Sequence, residues 1–99
     1  MSATLPPITP GNVLLEEFML PLGLSQNELA RRIDVPVSRI AGIVHGHRAI
    51  TADTASRLGR LFGTSAQFWL NLQSWHDLER LEDEGLAGKL ASIIPVIAA

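Results

Sequence analysis

The chain has no cysteine among its 99 residues. That absence excludes a disulfide framework, a thiolate metal site and a cysteine nucleophile. An excess of basic charge is missing as well: eight Lys and Arg stand against ten Asp and Glu, a formal net charge of −2. A uniformly basic nucleic-acid coat protein is thereby excluded. No apolar run approaches the roughly 20 residues of a membrane span. The N-terminus lacks the basic and then continuously apolar regions of a signal peptide. A soluble, cytoplasmic protein with no membrane partner is expected. There is no glycine-rich phosphate cradle, nucleophile elbow or HExxH pattern, and nothing places Ser, His and Asp as a unit. The expectation is a protein that is not an enzyme and needs no cofactor. His45 and His47 are spaced like a metal pair, but no Cys, Asp or Glu stands near them in the same loop, so no metal is expected.

Apolar residues are plentiful. They make up 46% of the chain, and the mean hydropathy of +0.22 is high for so short a sequence. A domain of this size buries about two-thirds of its unfolded surface, so surplus apolar surface is expected to meet a partner. Charge is segregated. Residues 31–60 hold six arginines against Asp34 and Asp53, a local +4, whereas residues 76–99 hold five acidic groups against Arg80 and Lys89, a local −3. An acidic protein can therefore still offer a basic face to a polyanion.

Residues 1–8 carry Pro6 and Pro7 and no helical period, which predicts an extended arm. Thr9-Pro10 reads as a helix start, a hydroxyl cap followed by proline at the first helical position. Leu14, Leu15 and Phe18 give that helix an apolar face, and Pro21 and Gly23 end it. Ser25-Gln26-Asn27-Glu28 matches the capping box and opens a second helix with Leu29, Ala30 and Ile33 inward. Val35-Pro36 opens a third, with Ile40, Ile43 and Val44 on its buried side and Gly46 at its end. A fourth helix starts at Thr51, carries Ala55, Leu58, Leu61 and Phe62, and stops at Gly63. Thr64 or Ser65 caps a fifth, along which Phe68, Trp69, Leu72, Trp75 and Leu78 recur at helical spacing. Phe68 and Leu72 are expected in the core. The tail is ambiguous: Leu86, Leu90, Ile93, Ile94 and Ile97 fit a helical stripe that Pro95 interrupts, or Ile93 to Ile97 fits an extended strand. The expected organisation is an arm at 1–8, an all-α domain at 9–84 and an apolar tail at 85–99.

Residues 25–48 have the requirements of a helix-turn-helix: the small Ala30 where two helices cross, apolar residues fixing their angle, and a tight turn. Asp34 occupies the turn position that usually holds glycine. The arrangement projects one rigid helix into a major groove.

The run Gly23-Leu24-Ser25-Gln26-Asn27-Glu28-Leu29-Ala30 resembles the XRE, or phage-repressor-like, class of helix-turn-helix domains. PGNVLLEEF, LGLSQNELARRI, SRIAGIVHGHRAIT and LGRLFGTSAQFWLNLQ together look like the HigA-type, or VapI-like, antitoxins over residues 8–78. The resemblance implies a five-helix domain that dimerises and represses its own operon; the short C-terminal extension lies beyond it. It also implies a RelE-like mRNA-cleaving toxin of the HigB type as partner. The stand-alone alternative is an XRE-type transcriptional regulator without a toxin. A third class is an interaction module that has lost DNA binding.

The candidate contacts to double-stranded DNA, at a palindromic operator, follow. Gln26 stands in the first turn of the second helix, where backbone amides favour a phosphate, and the resemblance supports that role. Val37, Ser38 and Arg39 open the reading helix, suited to a thymine methyl, a base edge, and a guanine or phosphate. Gly42 either lets the duplex approach closely or marks a weak reader. His45, His47 and Arg48 flank the following Gly46, where the resemblance implies phosphate contacts. Trp69 and Trp75, six residues apart, cannot share one narrow stripe, so the fifth helix is expected to contribute to a homodimer interface. A two-fold dimer places its reading helices about 34 Å apart. The acidic run from Asp77 to Glu84 fits a solvated helix face, and equally an electrostatic mate for a basic ribonuclease.

Overall fold

A computed structural model describes residues 8–97, and every regular element among them is helical. All but the last residue of the expected arm lies outside the described residues. The five expected helices are present, and the extension adds a sixth.

Helix α1 (Pro10–Val13) is capped by Thr9, whose Oγ1 accepts from the Asn12 amide at 3.0 Å. It runs directly into a wider, π-wound segment, Leu14–Met19, where the Leu20 amide bonds back five residues to Leu15 at 2.9 Å. Residues five apart fall on different faces of an α-helix; the wider winding turns Leu14 and Met19 to one side, and both are fully buried. Helix α2 (Gln26–Ile33) ends at Asp34, which adopts the left-handed conformation at φ 59°. Helix α3 (Val37–Val44) follows after that turn, and the Val35 amide bonds the Ala30 carbonyl at 3.0 Å across it. Helices α4 (Ala52–Phe62) and α5 (Ala66–Asp83) are joined through Gly63, and α6 (Leu86–Leu90) follows Gly85.

Leu29, Ala30, Ile33, Ile40 and Ile43 from the α2–α3 pair meet Leu14, Met19, Ala55, Leu58 and Trp69 in one core. Burying each of the leucine, isoleucine and methionine side chains stabilises by about 1.5–3 kcal/mol before entropy is counted. Phe18, Phe62 and Phe68 pack around Trp69 with ring centroids 4.9, 6.2 and 5.0 Å from it. Gly11 lets α1 lie directly on the end of α3. A Cβ there would overlap the Ile43 carbonyl oxygen.

Three expectations are corrected. Trp69, and not Phe68, is the inward aromatic of α5: Trp69 is fully buried, while Phe68 is 38% exposed. The Trp69 Nε1–H donates to Thr64 Oγ1 at 2.8 Å, so the large ring is buried with its polar atom satisfied. Only half of the capping box forms. Ser25 Oγ accepts from the Glu28 amide at 3.0 Å, but the Glu28 carboxylate turns outward to Arg31 and Arg32, because charged donors one turn away outcompete a backbone amide. In the tail, only Leu86–Leu90 is helical and residues 93–97 form no strand; Ile93, Ile94, Val96 and Ile97 are exposed.

Candidate nucleic-acid interface

Helix α3 begins at the turn and carries its exposed residues at that end. Val37 and Ser38 are exposed, Arg39 is partly covered, and Ile40 is buried. Arg39 does not project freely. Its Nη1 donates to Asp53 Oδ2 at 2.7 Å, and the same carboxylate accepts from Arg57 Nε at 3.1 Å on both oxygens. Arg57 Nη1 in turn donates to the carbonyls of Ile33 and Asp34, at 2.8 and 3.3 Å. One chain of charged hydrogen bonds thus ties the α2–α3 turn, the start of α3 and the first turns of α4. Arg57 first, and Arg39 with it, holds the Asp53 carboxyl below the usual carboxylate range.

The loop after α3 is also fixed. The amides of His47 and Arg48 both bond the Gly42 carbonyl, at 2.8 and 3.0 Å, and His45 Nδ1 lies 2.8 Å from the Ala41 carbonyl. That carbonyl requires the Nδ1–H tautomer or the imidazolium, which turns Nε2 outward. The Ile50 amide donates to Gln73 Oε1 at 2.8 Å, and Gln73 Nε2 donates to Asp77 at 3.0 Å, which pins the loop to α5. Arg39, Arg48 and Asp53 line one cleft of about 160 Å³. Among the described residues Arg48 and Arg60 form no ion pair, whereas Arg31, Arg32, Arg39 and Arg57 all do. Arg48 and Arg60 are thus the arginines of this window that carry no carboxylate partner among the described residues, while Arg31 and Arg32 share one carboxylate and Arg39 and Arg57 another. No three His, Cys, Asp or Glu side chains cluster among the described residues.

A helix-turn-helix family model matches residues 15–69. Virulence-associated protein I of Dichelobacter nodosus is 50% identical over 80 residues, which is 81% of this chain and 74% of that protein. The chain belongs to the helix-turn-helix family, in its HigA and VapI-like branch. Among solved structures, the antitoxin HigA of Pseudomonas aeruginosa with the higBA promoter aligns at a TM-score of 0.85 and 40% identity, covering 93% of this chain and 100% of that one. The antitoxin GraA in complex with its operator aligns at 0.84 and 33% identity, covering 99% of each chain.

Within this helix-turn-helix, Arg39 and Arg48 line one cleft, and Val37 and Ser38 are exposed just before Arg39 in the first turn of α3. Gln26 is half-buried in the first turn of α2. Gly42 faces its own loop: a Cβ there would press on the Arg48 side chain at 3.0 Å. Its small size therefore leaves room for the Arg48 side chain to pack against it. Trp69 is removed as an interface candidate by its full burial, which leaves Trp75, 62% exposed. Sequence reasoning missed Asp53, Arg57, Gly11 and Gln73 as residues that hold the site. Only Asp53–Arg57, four apart on one helix face, left a readable signal.

Proposed function

We propose that this chain is a HigA-type antitoxin that binds a palindromic operator as a homodimer, represses its own operon and neutralises a RelE-like toxin. The observation that carries the reading is the exposed start of α3 beside Arg48, on a fold whose solved relatives include two with promoter or operator DNA. Val37 and Ser38 face base edges. Arg39 offers guanidinium donors to a guanine. Gln26, His45, His47 and Arg48 face phosphates, with Arg48 supplying the full charge. Nothing in this assignment requires a metal, a cofactor or catalysis.

The dimer is read from α5. Phe68, Trp75 and Leu78, seven and three residues apart, are 38, 62 and 55% exposed on neighbouring positions of one helix side. A two-fold contact there supplies the apolar burial that the monomer leaves undone. On the toxin side, Arg80 is engaged with Asp77 and Glu84 at 3.8 and 3.5 Å. That leaves Glu79, Glu82 and Asp83 to face a basic ribonuclease.

The test is fluorescence anisotropy with the palindromic duplex upstream of the gene, alongside co-purification with the product of an adjacent RelE-like reading frame. Operator preference over a scrambled duplex, and toxin capture, are expected. Operator binding without capture moves the chain to a stand-alone regulator. Equal binding to both duplexes overturns the reading.

A further inference from the structure

The Arg39–Asp53 pair is a paradox on a surface meant for a polyanion. Asp53 is 55% exposed, lines the same cleft as Arg39 and Arg48, and puts a negative charge where phosphates would lie. Like charges repel, and the nearest cation is drawn away from the DNA backbone. The hold of Asp53 on the α2–α3 turn does not require this. Its hold on Arg57, which reaches the carbonyls of the α2–α3 turn, uses Nε contacts that are complete without Arg39. The Arg39 arm therefore removes one phosphate-binding charge and adds a geometric constraint on a residue at the reading end of α3.

We propose that Asp53 is a specificity-determining residue that keeps Arg39 off phosphates and reserves it for a base edge. This rests on the DNA-binding reading above. A guanidinium has five N–H donors, and Asp53 engages one nitrogen of Arg39, Nη1. The remaining donors stay free for the O6 and N7 acceptors of a guanine, the commonest specific arginine contact. On an unrelated sequence no such acceptor pair is in register, and the carboxylate competes with the phosphates for the guanidinium. Non-specific affinity is lowered and operator affinity is largely kept. Asp53 acts through Arg39 and is a positioning residue; it touches no base itself.

The experiment measures affinity for the operator duplex and for an unrelated duplex over a salt series. In Asp53→Asn the freed Arg39 should raise affinity for the unrelated duplex about fivefold to tenfold and steepen the dependence of log K on log salt by about one unit. Operator affinity should change less, so discrimination falls. Asp53→Glu should restore it. Arg57→Gln, which leaves the Arg39 arm intact, should produce no such gain. Adding Arg39→Ala to Asp53→Asn should remove most of the gain and the extra unit of salt slope, leaving only the small part due to lost repulsion from the carboxylate; a double variant that binds the unrelated duplex as tightly and as steeply as Asp53→Asn alone overturns the proposal. Arg39→Ala alone should lower operator affinity and leave the salt slope on the unrelated duplex unchanged, and that measurement stands even if Asp53→Asn folds poorly. An unchanged affinity and slope in a folded Asp53→Asn protein, or an equal loss on both duplexes, overturns the proposal alone. A wild-type protein without operator preference overturns the DNA-binding reading and this inference together.

Discussion

Gly11 and Ile43 meet backbone to backbone, with no room for a side chain between the start of α1 and the Ile43 carbonyl oxygen. The contact sets where the end of α3, and therefore the His45–Arg48 loop, lies relative to the core. Gly11→Ala should destabilise the fold by about 2–3 kcal/mol, since a Cβ pressed on backbone has no flexible neighbour to yield. Thermal unfolding followed by circular dichroism should show the midpoint falling by about 10 °C or more; an unchanged midpoint would refute the close approach.

Asp34 supports the tight turn at some strain. Its φ of 59° is the single positive value among non-glycine described residues, and among those residues only its backbone carbonyl, not its carboxylate, accepts a side-chain hydrogen bond. Asp34→Gly is expected to stabilise by about 0.5–1 kcal/mol, and Asp34→Val to destabilise by more than that. A lowered midpoint for the glycine variant would mean that the carboxylate does something beyond tolerating the turn.

The two tryptophans of α5 should behave oppositely. Trp69→Ala opens the core and should cost about 3–5 kcal/mol. Trp75→Ala should leave the monomer fold intact and shift the protein toward monomer in sedimentation, with a weaker and less cooperative operator isotherm. A Trp75 variant that remains dimeric at the wild-type concentration would remove this face of α5 from the interface.

Much of the architecture was written in local chemistry. Serine and threonine caps, glycines at helix ends and apolar residues three and four apart placed the five helices, because those signals act within one turn of chain. What escaped depended on distant partners. Arg39 and Asp53 are fourteen positions apart, Arg57 and Ile33 twenty-four, and Gln73 and Ile50 twenty-three. Gly11 carries no local signal of its contact with the Ile43 backbone, thirty-two positions away. Phe68 and Trp69 are adjacent, and periodicity alone did not say which of two neighbouring aromatics turns inward.

The ion network also fixes a pH response. Because Arg57 and Arg39 lower the Asp53 carboxyl, and chiefly Arg32 lowers that of Glu28, the native state binds these protons more weakly than the unfolded chain does. Their stabilisation is complete above the ordinary carboxylate range, about pH 4, and is lost as pH falls through the lowered native values. Thermal midpoints of wild type and Asp53→Asn should therefore differ at neutral pH and converge in acid. A gap that widens on acidification would give the network the wrong sign.

The most direct test of the central claim, that the start of α3 and its following loop form the DNA surface, is the salt dependence of operator binding in Arg48→Ala. Arg48 is exposed and without an ion pair among the described residues, so its loss should leave the fold unchanged. Operator and unrelated duplex should both bind more weakly, with the slope of log K on log salt reduced by about one unit. Wild-type affinity and slope in that variant would contradict the account.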